Sequence, residues 1–560
     1  MKSKFLLALA LLGSGAFAAF ADGYIDGVEY YQVGQAKNAE IVLNKTLNDA
    51  ETNKAEAYYY LGCIALEKGD KAAAEEWFNK GIAANAEYAY NYVGKGVLAL
   101  QSNNTSAAED LFKEAEKIDK KDAAVKIEIA RAYYKTDKVK FNKEWNEFVK
   151  KAKKANKKDA SIYVFEGDVY ADQQNYGDSA GYYEMATMFD SGRTIAYVKY
   201  ANTYFRINPS ASIDKLREIV SQKPNSLLAQ RELAEKLYEN DQWTLAADEY
   251  KKVVENPNHF ASDEERYAVL LYFGKKYEES LARAEQQLQK NPSSFLMKRM
   301  RFINAAALER WADAEKFATP FFASTGENNL FSANDYTTYG EVLKKLGKQE
   351  EALDAFQKAV DVNPDKLETL KDLSSAYQSA GIEETDSVKR AKYFVKSAEC
   401  YQKFVDKGDP STNDKYVLAS KYINIIATAL TEEEKEAALN KGLTVIDEVL
   451  ALVPDDYRIA QRKARLYVAK EGRNMKAGLA MDAYKKTEEI INANTELEAE
   501  KKNEALKEIY MYYANYYMSN TGKDNPEADA YKANAKLYYQ KYLELDPTND
   551  ALRKYIETMK

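Results

Sequence analysis

The feature that most constrains this chain is a repeat with a period of 34 residues. Stepping by that offset takes Tyr58 to Tyr92, Gly62 to Gly96, Ala65 to Ala99, Ala74 to Ala108 and Phe78 to Phe112. The stretch 69–87, GDKAAAEEWFNKGIAANAE, also has a near twin at 347–365, GKQEEALDAFQKAVDVNPD. A period of this length is one supersecondary unit that cannot bury its apolar face alone, so neighbouring copies must stack. Within a copy, a small residue followed three positions later by a large one lies on one helix face. This pairing recurs as Ala130/Tyr133, Gly167/Tyr170, Ala201/Tyr204, Ala234/Leu237 and Ala268/Leu271, and again from Gly340/Leu343 to Ala514/Tyr517. The small residue lets a second helix approach closely. Seven of the ten prolines (224, 257, 292, 364, 410, 454 and 547) fall where that second helix should stop, because proline cannot continue a helix interior.

The pattern resembles the tetratricopeptide repeat, W-x2-L-G-x2-Y…A-x3-F…P. The match runs through Gly62, Ala74 and Phe78, then Gly96, Ala108 and Phe112, and is fullest in Gly340, Ala352, Phe356 and Pro364. The resemblance implies an all-α fold, an α-solenoid of stacked helical hairpins wound as a right-handed superhelix. About 14 hairpins are expected. The register is tight over 22–318, breaks at 319–332, where "TPFFASTGENNLFS" is rich in breakers, and resumes over 333–411. Over 412–560 the hairpins lengthen and diverge.

Composition agrees. Ten prolines and 24 glycines in 560 residues disfavour turn-dense β architectures, and charged residues at 30% suit helices with solvated outer faces. A net charge of −8 gives no attraction to phosphates, so no nucleic acid partner is expected. The 44 tyrosines mostly occupy packing positions, and Trp243, Tyr277 and Trp311, each 34 apart, should open successive second helices. The lysine-rich run 138–159 carries a stripe of Phe141, Trp145, Phe148, Ala152 and Ala155, which makes it an ordinary repeat helix with a basic outer face.

The first 21 residues read as a leader: Lys2 and Lys4, an apolar run from Phe5 to Leu12, and Ala19-Phe20-Ala21, which fits cleavage between Ala21 and Asp22. The expected product is exported, periplasmic or secreted, with no membrane insertion, since no later stretch approaches the roughly 20 apolar residues of a span. Cys63 and Cys400 read as two buried free thiols, and His259, the single histidine, as a surface turn residue. With no Cys/His cluster, no glycine-rich phosphate loop and no nucleophile elbow, the expectation is a non-enzymatic protein without a cofactor or metal.

What remains is binding. In proteins this chain resembles, first-helix residues flanking the packing positions line a concave groove. Carried over, they are Tyr59, Leu66, Tyr90, Val93, Val97, Ile127, Tyr134, Val164, Val198 and Phe205, with Cys63 among them, an apolar strip that usually marks an interface. Later counterparts are polar: Thr337, Glu341, Lys344, Glu368, Lys371, Ser375 and Gln378. The expected partner is another protein or a peptide, taken up as an amphipathic helix or extended apolar segment. Two alternatives stay open: the strip is filled by tighter packing or self-association, or groove tyrosines bind a glycan. The carboxylate clamp of chaperone-binding members needs Lys and Asn where this chain has Tyr59 and Cys63.

Overall fold

A computed structural model describes residues 23–326, 329–522 and 525–559. The leader, with Ala21 and Asp22, lies outside the described residues. Among those described there are 29 α-helices, one short 3-10 turn and no strand. They form two compact units, one ending at Pro292 and the other starting at Ser293.

In the first unit, first helices alternate with second helices. They are α1 (Gly23–Gln32), α2 (Ala36–Thr46), α3 (Lys54–Glu67), α4 (Lys71–Ala84), α5 (Tyr90–Gln101), α6 (Thr105–Ile118), α7 (Ala123–Asp137) and α8 (Asn142–Asn156). They continue as α9 (Ala160–Asp172), α10 (Tyr176–Phe189), α11 (Thr194–Tyr204), α12 (Pro209–Gln222), α13 (Leu227–Glu239), α14 (Trp243–Glu255), α15 (Ala261–Phe273) and α16 (Tyr277–Lys290). The second unit holds α17 (Phe295–Ala307), α18 (Trp311–Phe322), α19 (Ala333–Lys345), α20 (Gln349–Val362), α21 (Glu368–Glu383) and α22 (Ser387–Lys407). After these come α23 (Thr412–Thr428), α24 (Glu432–Leu452), α25 (Tyr457–Glu471), α26 (Met481–Ala493), α27 (Ala499–Ser519), α28 (Ala528–Leu545) and α29 (Asp550–Thr558).

The spacing of small and aromatic residues explains each hairpin. A methyl group on Gly62 would stand 2.3 Å from the Phe78 ring, one on Gly96 2.2 Å from Phe112, and one on Gly340 2.9 Å from Phe356. Ala74, Ala108 and Ala352 are buried beside those rings. Seven residues after the small position the chain turns through left-handed backbone. Glycine takes that place at Gly34, Gly69 and Gly347, but Asn103, Gln174, Asp241 and Lys275 also hold φ near +60°, a strain ordinary side chains tolerate only singly. All seven prolines sit just past a second helix, Pro364 two residues beyond the end of α20. Trp243, Tyr277 and Trp311 open α14, α16 and α18.

Two expectations need correction. The break foreseen at 319–332 begins later, because α18 continues through Pro320 to Phe322. Its last turn is held by Phe321, fully buried and 5.8 Å from Phe302. The two compact units meet in sequence at Pro292, within the stretch of tight register. His259 is half-buried, with Nδ1 2.7 Å from the Asn256 carbonyl and Nε2 3.5 Å from Glu264. The stripe of the lysine-rich helix is largely as read, with Phe141 and Ala152 buried and Trp145, Phe148 and Ala155 half-buried. Both cysteines are free thiols, Cys400 buried and Cys63 half-buried.

Candidate partner-binding faces

The apolar strip of the first unit is closed. Tyr59, Val93, Ile127, Val164 and Val198 are all buried, so the exposed apolar surface expected of them is absent. Leu66, Tyr90, Val97, Tyr134 and Phe205 are half-buried. Tyr59, Leu66, Val198 and Phe205 belong to one core cluster. Ile127, Val164 and Tyr134 join a second, and Val93, Tyr90 and Val97 a third.

The physical reason is that the first hairpin lies across the inner face. Helix α1 packs not only on α2 and α3 but also on α11 and α13. The end of α1 fills the middle of the strip. The Tyr31 hydroxyl donates to Glu67 (2.9 Å), Gln32 donates to the Tyr60 hydroxyl (2.7 Å), and Val33 packs on the cluster that holds Ile127 and Val164. On the far side, Gln35 donates to Glu232 (2.7 Å), Lys223 pairs with Glu29 (3.6 Å), and Tyr30 lies 5.7 Å from Phe260 with the Arg231 guanidinium 5.6 Å over its ring.

Beneath this plug runs a charged network. The Tyr59 hydroxyl donates to Glu128 (3.0 Å), Arg131 joins Glu128 (3.3 Å) to Asp168 (2.6 Å), and Asp168 also accepts from Lys199 (2.7 Å) and the Tyr183 hydroxyl (2.9 Å). Burial alone would push the Asp168 carboxyl up, but Lys199 and Arg131 hold it at about 2. Such a network is costly to bury and costlier to break, since removing one partner strands a charge. Cys63 faces the same interior, where burial and then the Glu128 charge push its thiol up to about 12. A thiol held that high is inert at neutral pH.

In the second unit the corresponding first-helix positions stay polar and partly open. Thr337, Glu341, Lys344 and Gln378 are half-buried, and Glu368 and Ser375 are exposed. Lys371 is not free. It donates to Asp414 (2.8 Å) and sits 3.9 Å over the Phe404 ring. The same strut occurs twice more, Arg231 to Asp263 (2.9 Å) and Arg299 to Asp335 (2.9 Å). Each aspartate also accepts the backbone N–H that starts its own helix, from Phe260 (2.6 Å), Ser332 (2.7 Å) and Ser411 (3.0 Å). One carboxylate therefore caps a helix and ties it to the first helix of the preceding hairpin. Sequence reading overlooked these struts, although Ser332-x-x-Asp335 and Ser411-x-x-Asp414 are legible capping boxes.

Burial would raise Asp414, but Lys371, Ser411 and Tyr401 hold it at about 2. A carboxylate whose folded value lies below its ordinary value of about 3.9 stabilises the fold above that value. The contribution is expected to fade as pH falls from about 4 through about 2, and Asp414→Asn should flatten the pH dependence of unfolding in that window. An unchanged acid limb in the variant, followed by circular dichroism, would count against the strut.

For chemistry, the nearest approach to a reactive pair is Ser397 and Lys421. Lys421 donates to the Ser397 hydroxyl at 2.9 Å, and burial lowers its ammonium to about 8. Ser397, however, is fully buried, its hydroxyl donating to the Ser374 carbonyl at 2.7 Å, which leaves a substrate no approach. Among the described residues no group of His, Cys, Asp and Glu is placed to hold a metal ion, and no helix is long and apolar enough to cross a membrane.

The class this architecture defines is an α-solenoid of helical hairpins. Two segments, 55–88 and 336–366, match the tetratricopeptide repeat family, and they contain the Gly62/Phe78 and Gly340/Phe356 pairs. Among solved structures, the chain is similar to the C-terminal part of a TPR repeat-containing protein from Cytophaga hutchinsonii. That match has 22% identity over 52% of this chain and 98% of the other, with a TM-score of 0.37. A tetratricopeptide repeat protein from Parabacteroides merdae matches at 13% identity over 52% and 99%, with a TM-score of 0.30. The pilF protein of Pseudomonas aeruginosa matches at 17% identity over 38% and 96%, with a TM-score of 0.28.

Proposed function

We propose that this chain is a non-enzymatic interaction scaffold, exported to the cell envelope or secreted space, that binds a partner polypeptide along the first-helix face of its second unit. Proteins built from tetratricopeptide repeats generally mediate protein–protein interaction. The observation that carries the assignment to the second unit is the contrast at equivalent positions. Val93, Ile127, Val164 and Val198 are core residues, whereas their counterparts Thr337 and Lys371 are polar and only half-buried, and Ser375 nearby is exposed. A polar face of that kind suits an extended, hydrogen-bonding segment better than the amphipathic helix or extended apolar segment expected from sequence.

The glycan alternative relied on groove tyrosines with free faces. Tyr59 lies 5.0 Å from Tyr60 and 5.5 Å from Tyr90, and Tyr31 lies 5.4 Å from Tyr60. Tyr59 and Tyr60 are moreover buried, so they offer a sugar little surface, which favours the polypeptide reading. Export rests on the leader-like sequence alone.

The test is photocrosslinking in the producing cell, with a benzophenone amino acid at Ser375 in one strain and at Val97 in another. A discrete polypeptide adduct at position 375 and none at 97 is expected, on a protein whose N-terminus is Asp22. Adducts at 97 alone would return binding to the first unit, and recovery of an intact Met1 would remove the exported compartment.

A further inference from the structure

A second feature of the second unit points to what such a polypeptide carries. Between α18 and α20, on the side of the second helices, lies a cleft of about 320 Å³, near the lower end of volumes that hold a ligand group. One wall is aromatic. Phe322 is stacked 4.9 Å from Tyr336 and lies 5.1 Å from Tyr339. The facing rim, on α20, presents Glu351 and Asp354, both exposed. Neither carboxylate has a hydrogen bond or ion pair among the described residues. Lys358, one turn further on and exposed, completes the rim.

Nearby rings are covered by cations from the chain itself. The Arg299 guanidinium lies 4.9 Å over Phe295, that of Arg301 4.5 Å over Phe317, and the Lys345 ammonium 5.9 Å over Trp311. Among the described residues no such cation lies over Phe322, Tyr336 or Tyr339. An aromatic wall facing two carboxylates is the environment that attracts a cation, through the ring quadrupole on one side and charge on the other.

We infer that this cleft takes a basic side chain, arginine or lysine, of the partner polypeptide. The inference rests on the polypeptide-binding reading for the source of that side chain, and commits the ligand to positive charge. The wall orients a flat guanidinium, while Glu351 and Asp354, one turn apart on α20, supply acceptors for its N–H groups.

The test uses the full chain and defined probes, and needs no natural partner. A fluorescein-labelled Gly-Ser decapeptide with two central arginines should bind about tenfold or more tightly than its citrulline counterpart, which keeps the shape and loses the charge. The double variant Glu351→Gln with Asp354→Asn should abolish that difference. Glu433→Gln with Glu500→Gln, an equal charge change at exposed sites on α24 and α27, should preserve it. Tyr336→Leu should weaken binding with both carboxylates in place, and Lys358→Ala should strengthen it. Equal binding of the arginine and citrulline peptides, or equal loss in the two double variants, would overturn the assignment by reducing it to the net charge of the chain. Either result would leave the crosslink at Ser375 untouched, so the two proposals fail separately.

Discussion

Tyr30→Ala is expected to cost the first unit about 3–5 kcal/mol, the range for truncating a large buried aromatic. Tyr30 is 1% exposed and sits where α1 meets the far side of the unit, against Phe260 and under Arg231. Losing the ring removes the main apolar contact of this closure. The remaining ties, Gln35 to Glu232 and Lys223 to Glu29, are polar and partly wet. Hydrogen exchange should therefore accelerate in α1, α11 and α13 together, although they are far apart in sequence. The hairpins of the second unit should keep their protection, since hairpins in a stack couple to their neighbours. Tyr30→Phe separates the ring from its hydroxyl, which is buried without a hydrogen-bond partner among the described residues. That variant should be neutral or slightly stabilising. If Tyr30→Phe proved as damaging as Tyr30→Ala, the closure would depend on a polar contact rather than on packing.

Gly96→Leu carries the second large effect. Even the first added carbon would lie 2.2 Å from Cε1 of Phe112, closer than any real contact. Either the ring leaves its place or α5 and α6 separate, and overpacking of this kind costs about 1–3 kcal/mol or more. The damage should stay local, so limited proteolysis should cut first between 89 and 121. Gly177 on α10 is the control, since nothing lies within 4 Å of an added carbon there. Gly177→Ala should be neutral or slightly stabilising, because Gly177 is the second residue of α10 and the penalty of glycine in a helix is felt mainly in its interior. Similar losses at Gly96 and Gly177 would mean that glycine matters for backbone freedom rather than for close approach.

How far the sequence could be read follows from these residues. Gly96 and Phe112 are fixed by a local rule, one small residue and one ring per period, and a period is visible in any single chain. The same holds for the prolines past the second helices and for Trp243, Tyr277 and Trp311 at their starts. The closure by α1 is of another kind. It depends on how far each hairpin rotates relative to the last, a small angle that no residue spells out and that accumulates over six hairpins before α1 meets α13. The strip is legible from sequence as one set of repeat positions, whereas its burial follows from the stacking and is not. The struts fall in between, with the capping aspartates legible at Asp335 and Asp414, and their cations, Arg299 and Lys371, identifiable only once the hairpins are stacked. The cleft beside Phe322 escaped because Pro320 reads as a helix breaker, whereas buried Phe321 carries the helix past it.

The central claim is that the inner face of the first unit is closed by the chain's own first hairpin, and Cys63 reports on it directly. In a Cys400→Ser background, the measurement is the iodoacetamide alkylation rate of Cys63 against pH, in the folded chain and in urea. A thiol pushed up to about 12 by burial and by Glu128 should react at pH 8 at least a hundredfold more slowly than the unfolded thiol, whose ordinary value is about 8.5. The rate should still be climbing at pH 10, and Tyr30→Ala should restore much of the lost reactivity. A folded chain that alkylates as fast as the unfolded one, with a midpoint near the ordinary thiol value, would show the face to be open and would contradict the account.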